Sequence, residues 1–280
     1  MSTRSPSRTC AVFSVPSLKR LDAAARRARR VVPVHLKVDT GMSRIGVLPE
    51  QVHDFLAVLA TCDNLHLDGL MTHFARADVD VDAIATQRTR FEAVREQILA
   101  AGHRPTFVHA DNSAATLRDG PHYDLVRPGI ALYGAEVGGD IDTSGLRPVM
   151  SLHSAVHFVH HVAAGVSVSY GGTWTATRPT RLAVIPIGYA DGYLRALSNQ
   201  ASVLIAGQRA PLRGRVCMDL IIVDTTDIDA PVEEGTPVVL FGQQGDEQIS
   251  AGELAGLAGT ISYEVLAGLG ARVPRVWVNA

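Results

Sequence analysis

Two hydrophobic patterns alternate along the first half of the chain. Short apolar runs, typical of buried strands, are separated by stretches with apolar residues three and four positions apart, as in amphipathic helices. The predicted strands are Thr9–Val15, Val34–Val38, Leu67–Thr72, Thr106–His109 and Asp124–Val126. The predicted helices are Ser17–Arg30, Pro49–Thr61, Val81–Ala101 and Ser113–Leu117. We expect Ser17 to cap the first helix and Gly102 to end the third.

This alternation predicts about five βα units and a parallel sheet. The pattern by itself leaves two architectures open, an open doubly wound sheet and a (β/α)₈ barrel. Both architectures place active-site residues just after the carboxyl ends of the strands. Polar residues in those positions are therefore the first candidates for function.

From about Val149 the long helical patterns give way to short β-branched runs separated by turns. The predicted strands are Ala183–Ile187, Ser202–Ile205, Leu220–Val223 and Pro237–Phe241, with one short helix at Ala251–Ala258. This pattern predicts a compact β-domain. We therefore expect two domains, residues 1–147 and 148–280, with a boundary near Gly145–Val149.

Composition narrows the classes of function. The chain has 280 residues, of which 46% are hydrophobic, enough for a sizeable core. The formal net charge of -2 argues against a nucleic-acid-binding surface or a polybasic membrane patch. Cys10, Cys62 and Cys217 lie far apart, which argues against a disulfide framework or a structural metal site and favours the reducing cytoplasm. No apolar run is long enough to span a bilayer.

Charged and polar residues follow several predicted strands. The segment HLKVDTGMSRIG, His35–Gly46, puts Lys37 and Arg44 beside a glycine turn, and THFA puts His73 after the next strand. A salt-bridged turn explains the first segment equally well, and a lone histidine is more often structural.

Two later segments have the features of anion-binding turns. HADNSAATL places Ser113 at a helix start, where backbone N–H groups bind phosphate, although simple capping would also explain it. In DLVRPGIALYG, Arg127 follows a strand and Gly129 allows the backbone to approach an anion. Two such turns after successive strands are similar to the phosphate sites of barrel enzymes.

The predicted β-domain carries further polar positions between apolar ones. VSYGGTW contains Tyr170, GRVCMDL places Met218 within a predicted strand, and TISYEVL contains Tyr263 after a short helix. Taken singly, each tyrosine fits the edge of a core.

Taken together and in order, five segments resemble the alanine racemase family of fold-type III enzymes that use pyridoxal 5'-phosphate (PLP). They are HLKVDTGMSRIG, VRPGIALYG, SYGGTW, GYADG and GRVCMD. The resemblance runs from roughly Thr9 to the C-terminus, and related decarboxylases differ in their phosphate and C-terminal segments. It implies a (β/α)₈ TIM-type barrel with a C-terminal β-domain, and interconversion of L- and D-alanine that supplies D-alanine for peptidoglycan.

The resemblance also implies cofactor-binding residues. The PLP phosphate would be held by Ser113, Gly129, Ile130 and Tyr263. Arg127 would face the pyridine nitrogen, and because arginine does not give up a proton, that nitrogen would stay unprotonated. His73 would support the ring.

Racemisation removes a proton from one face of the α-carbon and returns one to the other. By the resemblance, Tyr170 would be the base that acts on L-alanine, and Arg44 would assist it and bind the substrate carboxylate. The backbone of Met218 would meet the same carboxylate. Lys37 corresponds to a lysine that is carbamylated in many members and orients the arginine. The tyrosine and methionine come from the partner subunit in the family, which implies a head-to-tail homodimer.

The chain departs from the family in one respect. Its lysines are Lys19 and Lys37, and neither lies in a segment like the one that carries the family's Schiff-base lysine. A barrel needs eight βα units, about 30 residues each, so about five units make an incomplete barrel. We therefore expect N-terminal truncation, through a late start site, a shortened gene or a separate complementing chain. The alternatives to alanine racemisation are an inactive remnant, or a racemase acting on serine or another small amino acid.

Overall fold

The computed structural model describes residues 9–278, which form two units, each with its own hydrophobic core. The first unit contains the described residues up to Gly129 together with Val137–Asp142. The second contains Ile130–Glu136 and the described residues from Thr143 onward.

The first unit alternates strands with helices, and its strands run parallel, as predicted. Its elements are β1 (Cys10–Val12), α1 (Val15–Arg27), β2 (Val32–Lys37), α2 (Val52–Leu59), β3 (Leu65–Met71), α3 (Val81–Ala100), β4 (Phe107–His109) and α4 (Ser113–Leu117). The sheet order is β1-β2-β3-β4. Within residues 9–278 this parallel sheet stays open, and the α/β character of the first half is confirmed.

The fifth predicted strand is reduced to a short paired segment beside β4. Leu125 forms an isolated parallel bridge with His109. On either side of it, the N–H of Asp124 donates to the carbonyl of Val108 at 3.0 Å, and the N–H of Arg127 donates to that of Asp111 at 2.9 Å. Pro128 follows and has no N–H to continue the pairing. The segment is nevertheless held firmly enough to place Arg127.

The prediction that Ser17 caps α1 is wrong. The N-cap is Ser14, whose hydroxyl accepts from the N–H of Ser17 at 3.2 Å, while the N–H of Ser14 donates to the Ser17 hydroxyl at 3.2 Å. This reciprocal pair is a capping box in which Ser17 is the third helical residue. Pro16 is well tolerated in the first turn, and its position is the signal for the earlier start.

Helix α3 covers the sheet of the first unit with a regular apolar stripe. Phe91, Val94 and Ile98 are fully buried on it. Asp80 caps the helix by accepting from the N–H of Ala83 at 2.9 Å. Gly102, predicted as the stop, follows the last turn with a φ of 87°, a left-handed conformation that glycine adopts without strain.

The second unit is built from short strands in three antiparallel sheets. Its strands are β5 (Leu152–Ala155), β6 (Phe158–Val162), β7 (Ser167–Val168), β8 (Trp174–Thr175), β9 (Thr180–Ile185), β10 (Ser202–Ile205), β11 (Gln208–Pro211), β12 (Ile221–Asp224), β13 (Pro237–Gln244) and β14 (Glu247–Ile249). Two helices follow, α5 (Ala251–Ala258) and α6 (Ser262–Ala267). The sheet orders are β11-β10-β13-β14 with β5 beside β13, β12-β9-β6, and β7-β8. The predicted β-character of this half is confirmed.

Met218 lies outside the strand in which it was predicted. The N–H of Cys217 donates to the carbonyl of Leu220 at 2.9 Å, so the chain turns back before β12 begins at Ile221. Met218 and Asp219 stand at the tip of this turn. Tyr263, predicted to follow a short helix, does follow α5 and is itself the second residue of α6.

Among residues 9–278, no helix is both long enough and apolar enough to cross a bilayer.

We expect Ile98→Ala to lower the free energy of unfolding by about 2–5 kcal/mol, because Ile98 is fully buried in the α3 stripe and truncation leaves a cavity. Denaturant titration measures the change. Val81→Ala on the same helix is the matched control, since Val81 is 58% exposed and its truncation should change stability by no more than about 0.5 kcal/mol. Equal effects of the two substitutions would contradict the assigned burial.

Candidate functional site

The carboxyl ends of three neighbouring parallel strands gather basic side chains. Lys37 ends β2, His109 ends β4, and His73 lies two residues beyond the end of β3. In register, Lys37 pairs with Met71, and Met71 pairs with His109. Because parallel strands present the same end at the same edge, residues far apart in sequence share one site.

Arg127 is the centre of this arrangement. Its Nη2 donates to the carbonyls of Thr72 at 2.8 Å and Ala110 at 2.9 Å, and its Nη1 donates to Nδ1 of His109 at 2.6 Å. Nδ1 of His73 lies 3.5 Å from Nη2. Burial lowers the pKa of Arg127 and Asp111 opposes that shift, but the ordinary value is so high that the guanidinium stays charged.

A chain of hydrogen bonds extends from Arg127 into the sheet. Because arginine only donates, Nδ1 of His109 accepts, so the single proton of a neutral His109 is on Nε2. That Nε2 donates to Nδ1 of His35 at 2.8 Å. Gly69 makes room for the His35 ring, since a Cβ at position 69 would lie 2.3 Å from it. The geometry therefore fixes the tautomers of both imidazoles.

His73 and His109 are neutral at ordinary pH. Burial, and then the charge of Arg127, lowers the pKa of each to about 4. Lys37 and Arg44 add to the shift at His73, and His35 adds to the shift at His109. The positive charge of the site thus belongs to arginine and lysine side chains, and the imidazoles serve as neutral hydrogen-bonding groups.

Lys37 and Arg44 flank a tight turn after β2. The carboxylate of Asp39 accepts three backbone N–H bonds of 2.9–3.0 Å from residues 41–43, which fixes the turn that leads to Arg44. Lys37 is only 5% exposed. Burial lowers the pKa of Lys37, as do the charges of Arg44 and Arg127, while Asp39 opposes them. At a given pH, a larger fraction of Lys37 is therefore in the neutral, nucleophilic amine form than for an ordinary lysine.

Ser113 and Gly129 form a second polar group in the first unit. The N–H of Gly129 donates to the Ser113 hydroxyl at 2.7 Å. Asn112, not Ser113, caps α4, by accepting from the N–H of Ala115 at 3.1 Å. A Cβ built on Gly129 would approach only the Ser113 hydroxyl, at 3.9 Å, so the backbone there is open to a ligand.

The other four candidate residues belong to the second unit. Ile130 is buried at the start of a 3₁₀ turn, and Tyr263 is partly exposed on α6. Tyr170 is 74% exposed and Met218 is 56% exposed. One hydrogen bond joins the loops that carry Tyr170 and Met218. The hydroxyl of Ser169, a residue with a φ of 66°, donates to the carbonyl of Arg215 at 3.0 Å.

Sequence reasoning overlooked three residues of this region: His35, His109 and Gln87. The two histidines lie inside segments already singled out, at or near strand ends, and that position was the available signal. Gln87 is buried and bonds to the backbone of the loop after β3. It lies on the apolar stripe of α3, three residues after Ile84 and four before Phe91, and a polar residue on such a stripe marks a buried hydrogen-bonding group.

We expect the free energy of unfolding to fall as pH drops from about 6.5 toward 4. The unfolded chain binds a proton at His109 in this range while the folded chain does not, so acid favours unfolding. Denaturant titrations at several pH values should give a smaller slope for His109→Gln than for the wild type. Ile98→Ala is the control, since it lowers stability at every pH. An unchanged slope in His109→Gln would contradict the buried neutral state.

Comparison with known proteins finds the same family in both halves of the chain. Residues 4–137 match the family model of the alanine racemase N-terminal domain, and residues 149–277 match that of the C-terminal domain. The chain is 45% identical over 260 residues to the alanine racemase of Symbiobacterium thermophilum, covering 92% of this chain and 69% of that protein. It is 46% identical over 280 residues to that of Geobacter sp. strain M21, covering 96% and 73%.

Solved structures extend the match to the fold. Alanine racemase from Streptomyces coelicolor A3(2) superposes with a TM-score of 0.91 at 37% identity, covering 98% of this chain and 73% of that chain. The enzyme from the D-cycloserine producer Streptomyces lavendulae gives 0.90 at 34% identity, covering 97% and 73%. With both family domains matched in order and identities well above 30%, the chain belongs to the alanine racemase family and is an isomerase of the racemase class.

Proposed function

We propose that this protein interconverts L- and D-alanine with PLP as cofactor, and that the D-alanine serves peptidoglycan synthesis in the cytoplasm. The observation that carries the proposal is the fixed, charged Arg127 beside neutral His73 and His109. The first unit, in this proposal, is part of a (β/α)₈ barrel. The test is racemisation of alanine by the full-length protein supplied with PLP, with kcat/KM for serine compared in the same assay.

The candidate ring-binding and phosphate-binding residues suit PLP. Arg127 offers a donor that does not lose its proton to an aromatic ring nitrogen, and His73 lies beside it. The Ser113 hydroxyl and the open backbone at Gly129 suit a phosphate, since a Cβ at Gly129 would occupy the space above that hydroxyl. We assign Ile130 and Tyr263 to the same phosphate. When bound, PLP would delocalise the electron pair left at the α-carbon after proton removal.

Arg127 would determine how strongly PLP delocalises the electron pair left at the α-carbon. A permanently protonated guanidinium donates a hydrogen bond and does not transfer a proton, so it favours an unprotonated acceptor opposite it. The neutral imidazole of His109 holds the guanidinium in place through Nδ1. PLP held opposite such a donor would be a moderate electron sink, which would suit racemisation because it would limit side reactions after proton removal.

Substrate binding and proton transfer are assigned to side chains from both units. Arg44 binds the alanine carboxylate together with the backbone of Met218, and Tyr170 accepts the α-proton of L-alanine. The exposure of Tyr170 and Met218 supports a head-to-tail homodimer in which each subunit supplies these residues to the other. The partner's tyrosine then meets the cationic side chains of Arg44 and Arg127.

We expect Tyr170→Phe to abolish proton abstraction selectively from L-alanine. In the full-length protein with PLP, release of the α-deuterium of L-alanine into water should fall by roughly 10²–10⁴-fold, while release from D-alanine persists. Tyr133→Phe, also at an exposed tyrosine of the second unit, is the control. Equal loss from both enantiomers would reject the assignment.

We propose that Lys37 carries a carbamate. Burial and the neighbouring arginines lower the pKa of Lys37, which increases the fraction of the neutral amine that reacts with CO₂. Protein equilibrated with ¹³C-bicarbonate should show a carbamate carbon signal by NMR, and Lys37→Arg should remove it. The matched control is Lys19→Arg on the exposed face of α1. A signal that survives in Lys37→Arg would reject this proposal.

A further inference from the structure

Gln87 is a buried amide whose hydrogen-bonding groups are all engaged. It lies on α3 and is 5% exposed. Its Oε1 accepts from the N–H of Ala75 at 2.8 Å, which fixes the orientation of the amide. Its Nε2 donates to the Thr40 hydroxyl at 3.1 Å and to the carbonyl of His73 at 3.1 Å.

These partners belong to two different loops that carry site residues. Thr40 lies in the loop after β2, residues 38–48, which we call the β2 loop and which carries Arg44. His73 and Ala75 lie in the loop after β3, residues 72–80, which we call the β3 loop. A single side chain on a rigid helix thus bonds both loops at once.

The direction of the hydrogen bonds continues this connection to Arg127. The Thr72 hydroxyl donates to the carbonyl of Val38 at 3.0 Å, so its oxygen accepts from the Thr40 hydroxyl at 2.7 Å. Hydrogen bonds are therefore donated in one direction, from Gln87 to Thr40, from Thr40 to Thr72, and from Thr72 to Val38. The carbonyl of Thr72 also accepts from Arg127.

Thr40 receives a second bond from the same helix. Nη1 of Arg90 donates to its backbone carbonyl at 3.1 Å. The next residue before Thr40 is Asp39, whose carboxylate holds the turn that leads to Arg44. Helix α3 therefore fixes the side chain and the backbone of the residue where this turn begins.

We propose that Gln87 is a positioning residue of the racemase site. It fixes the position of the β2 loop, which carries Arg44, relative to the β3 loop, which carries His73 and contacts Arg127. This inference rests on the proposed function for its kinetic consequence. It assigns Gln87 no contact with substrate or cofactor, and its effect on the reaction passes through Arg44 and His73.

The first test needs no cofactor. In Gln87→Met, which keeps the side-chain length and removes the polar atoms, we expect hydrogen exchange of the Ala75 amide and of the amides of residues 41–43 to quicken roughly tenfold. The amides of β10 in the second unit should keep their rates. Gln97→Met, at an exposed position on the same helix, should change neither loop.

A second variant separates the two loops. Gln87→Glu keeps an acceptor for the Ala75 N–H but loses both donors, and its carboxylate faces the His73 carbonyl. We expect protection of the Ala75 amide to survive in Gln87→Glu while exchange at residues 41–43 quickens. Uniform acceleration across the whole first unit in both variants would overturn the proposal, because it would mean general destabilisation.

The kinetic test uses the full-length protein with PLP. Because Arg44 is assigned to the alanine carboxylate, both Gln87 variants should raise KM for L- and D-alanine roughly tenfold, with a smaller change in kcat, relative to Gln97→Met. Faster loop exchange with an unchanged KM would overturn the proposal and leave Gln87 a purely structural residue. Absence of racemisation in the wild type would reject the proposed function, whereas the exchange pattern tests the connection between the loops independently.

Discussion

The half-buried guanidinium of Arg127 is the constraint on which the rest of the site depends. A charged group removed from water is tolerated only when its donors are satisfied. Here three acceptors come from two places in the sequence, the carbonyl of Thr72 and, next to each other, the ring of His109 and the carbonyl of Ala110. These acceptors stand together only if β3, β4 and the segment beside β4 are in their observed register. The hydrogen bonding of one side chain therefore depends on correct pairing of the sheet.

The chemistry of the site follows from the same placement. Burial, and after it the charge of Arg127, keeps the imidazoles of His73 and His109 neutral, and burial together with Arg44 and Arg127 lowers the pKa of Lys37. Cationic side chains with neutral histidines between them make an electropositive site for anionic groups. A phosphate and an amino-acid carboxylate, the two anions of the proposed reaction, carry the charge that such a site attracts.

Sequence patterns predicted the regular elements well, because burial imposes a period on each of them. Helices α3, α4 and α5 and strand β10 lie where their apolar spacing put them. The start of α1 was misplaced because a serine three residues into a helix looks like a cap until its reciprocal partner is known. Met218 was assigned to a strand because apolar neighbours do not reveal a reversal made by backbone hydrogen bonds.

The site itself was only partly accessible from sequence. Arg44, His73, Ser113 and Arg127 were proposed as site residues because they follow strands within recognisable segments. The hydrogen bonds that hold Arg127 beside His73 and His109 depend on register, rotamers and tautomers, which no linear pattern specifies. Gln87 shows this most clearly, since its role depends on two loops that approach α3 only in the folded unit.

The way Arg127 is held has an electrical consequence. Its direct partners are two carbonyl groups and an imidazole, all uncharged, and the carboxylate of Asp111 bonds to His122 instead. A carboxylate bonded to the guanidinium would cancel most of its field outside the pair. Dipoles stabilise the cation and leave its formal charge in place. Arg127 therefore presents its positive charge to whatever lies opposite it without a carboxylate bonded to it, at a position set by the backbone.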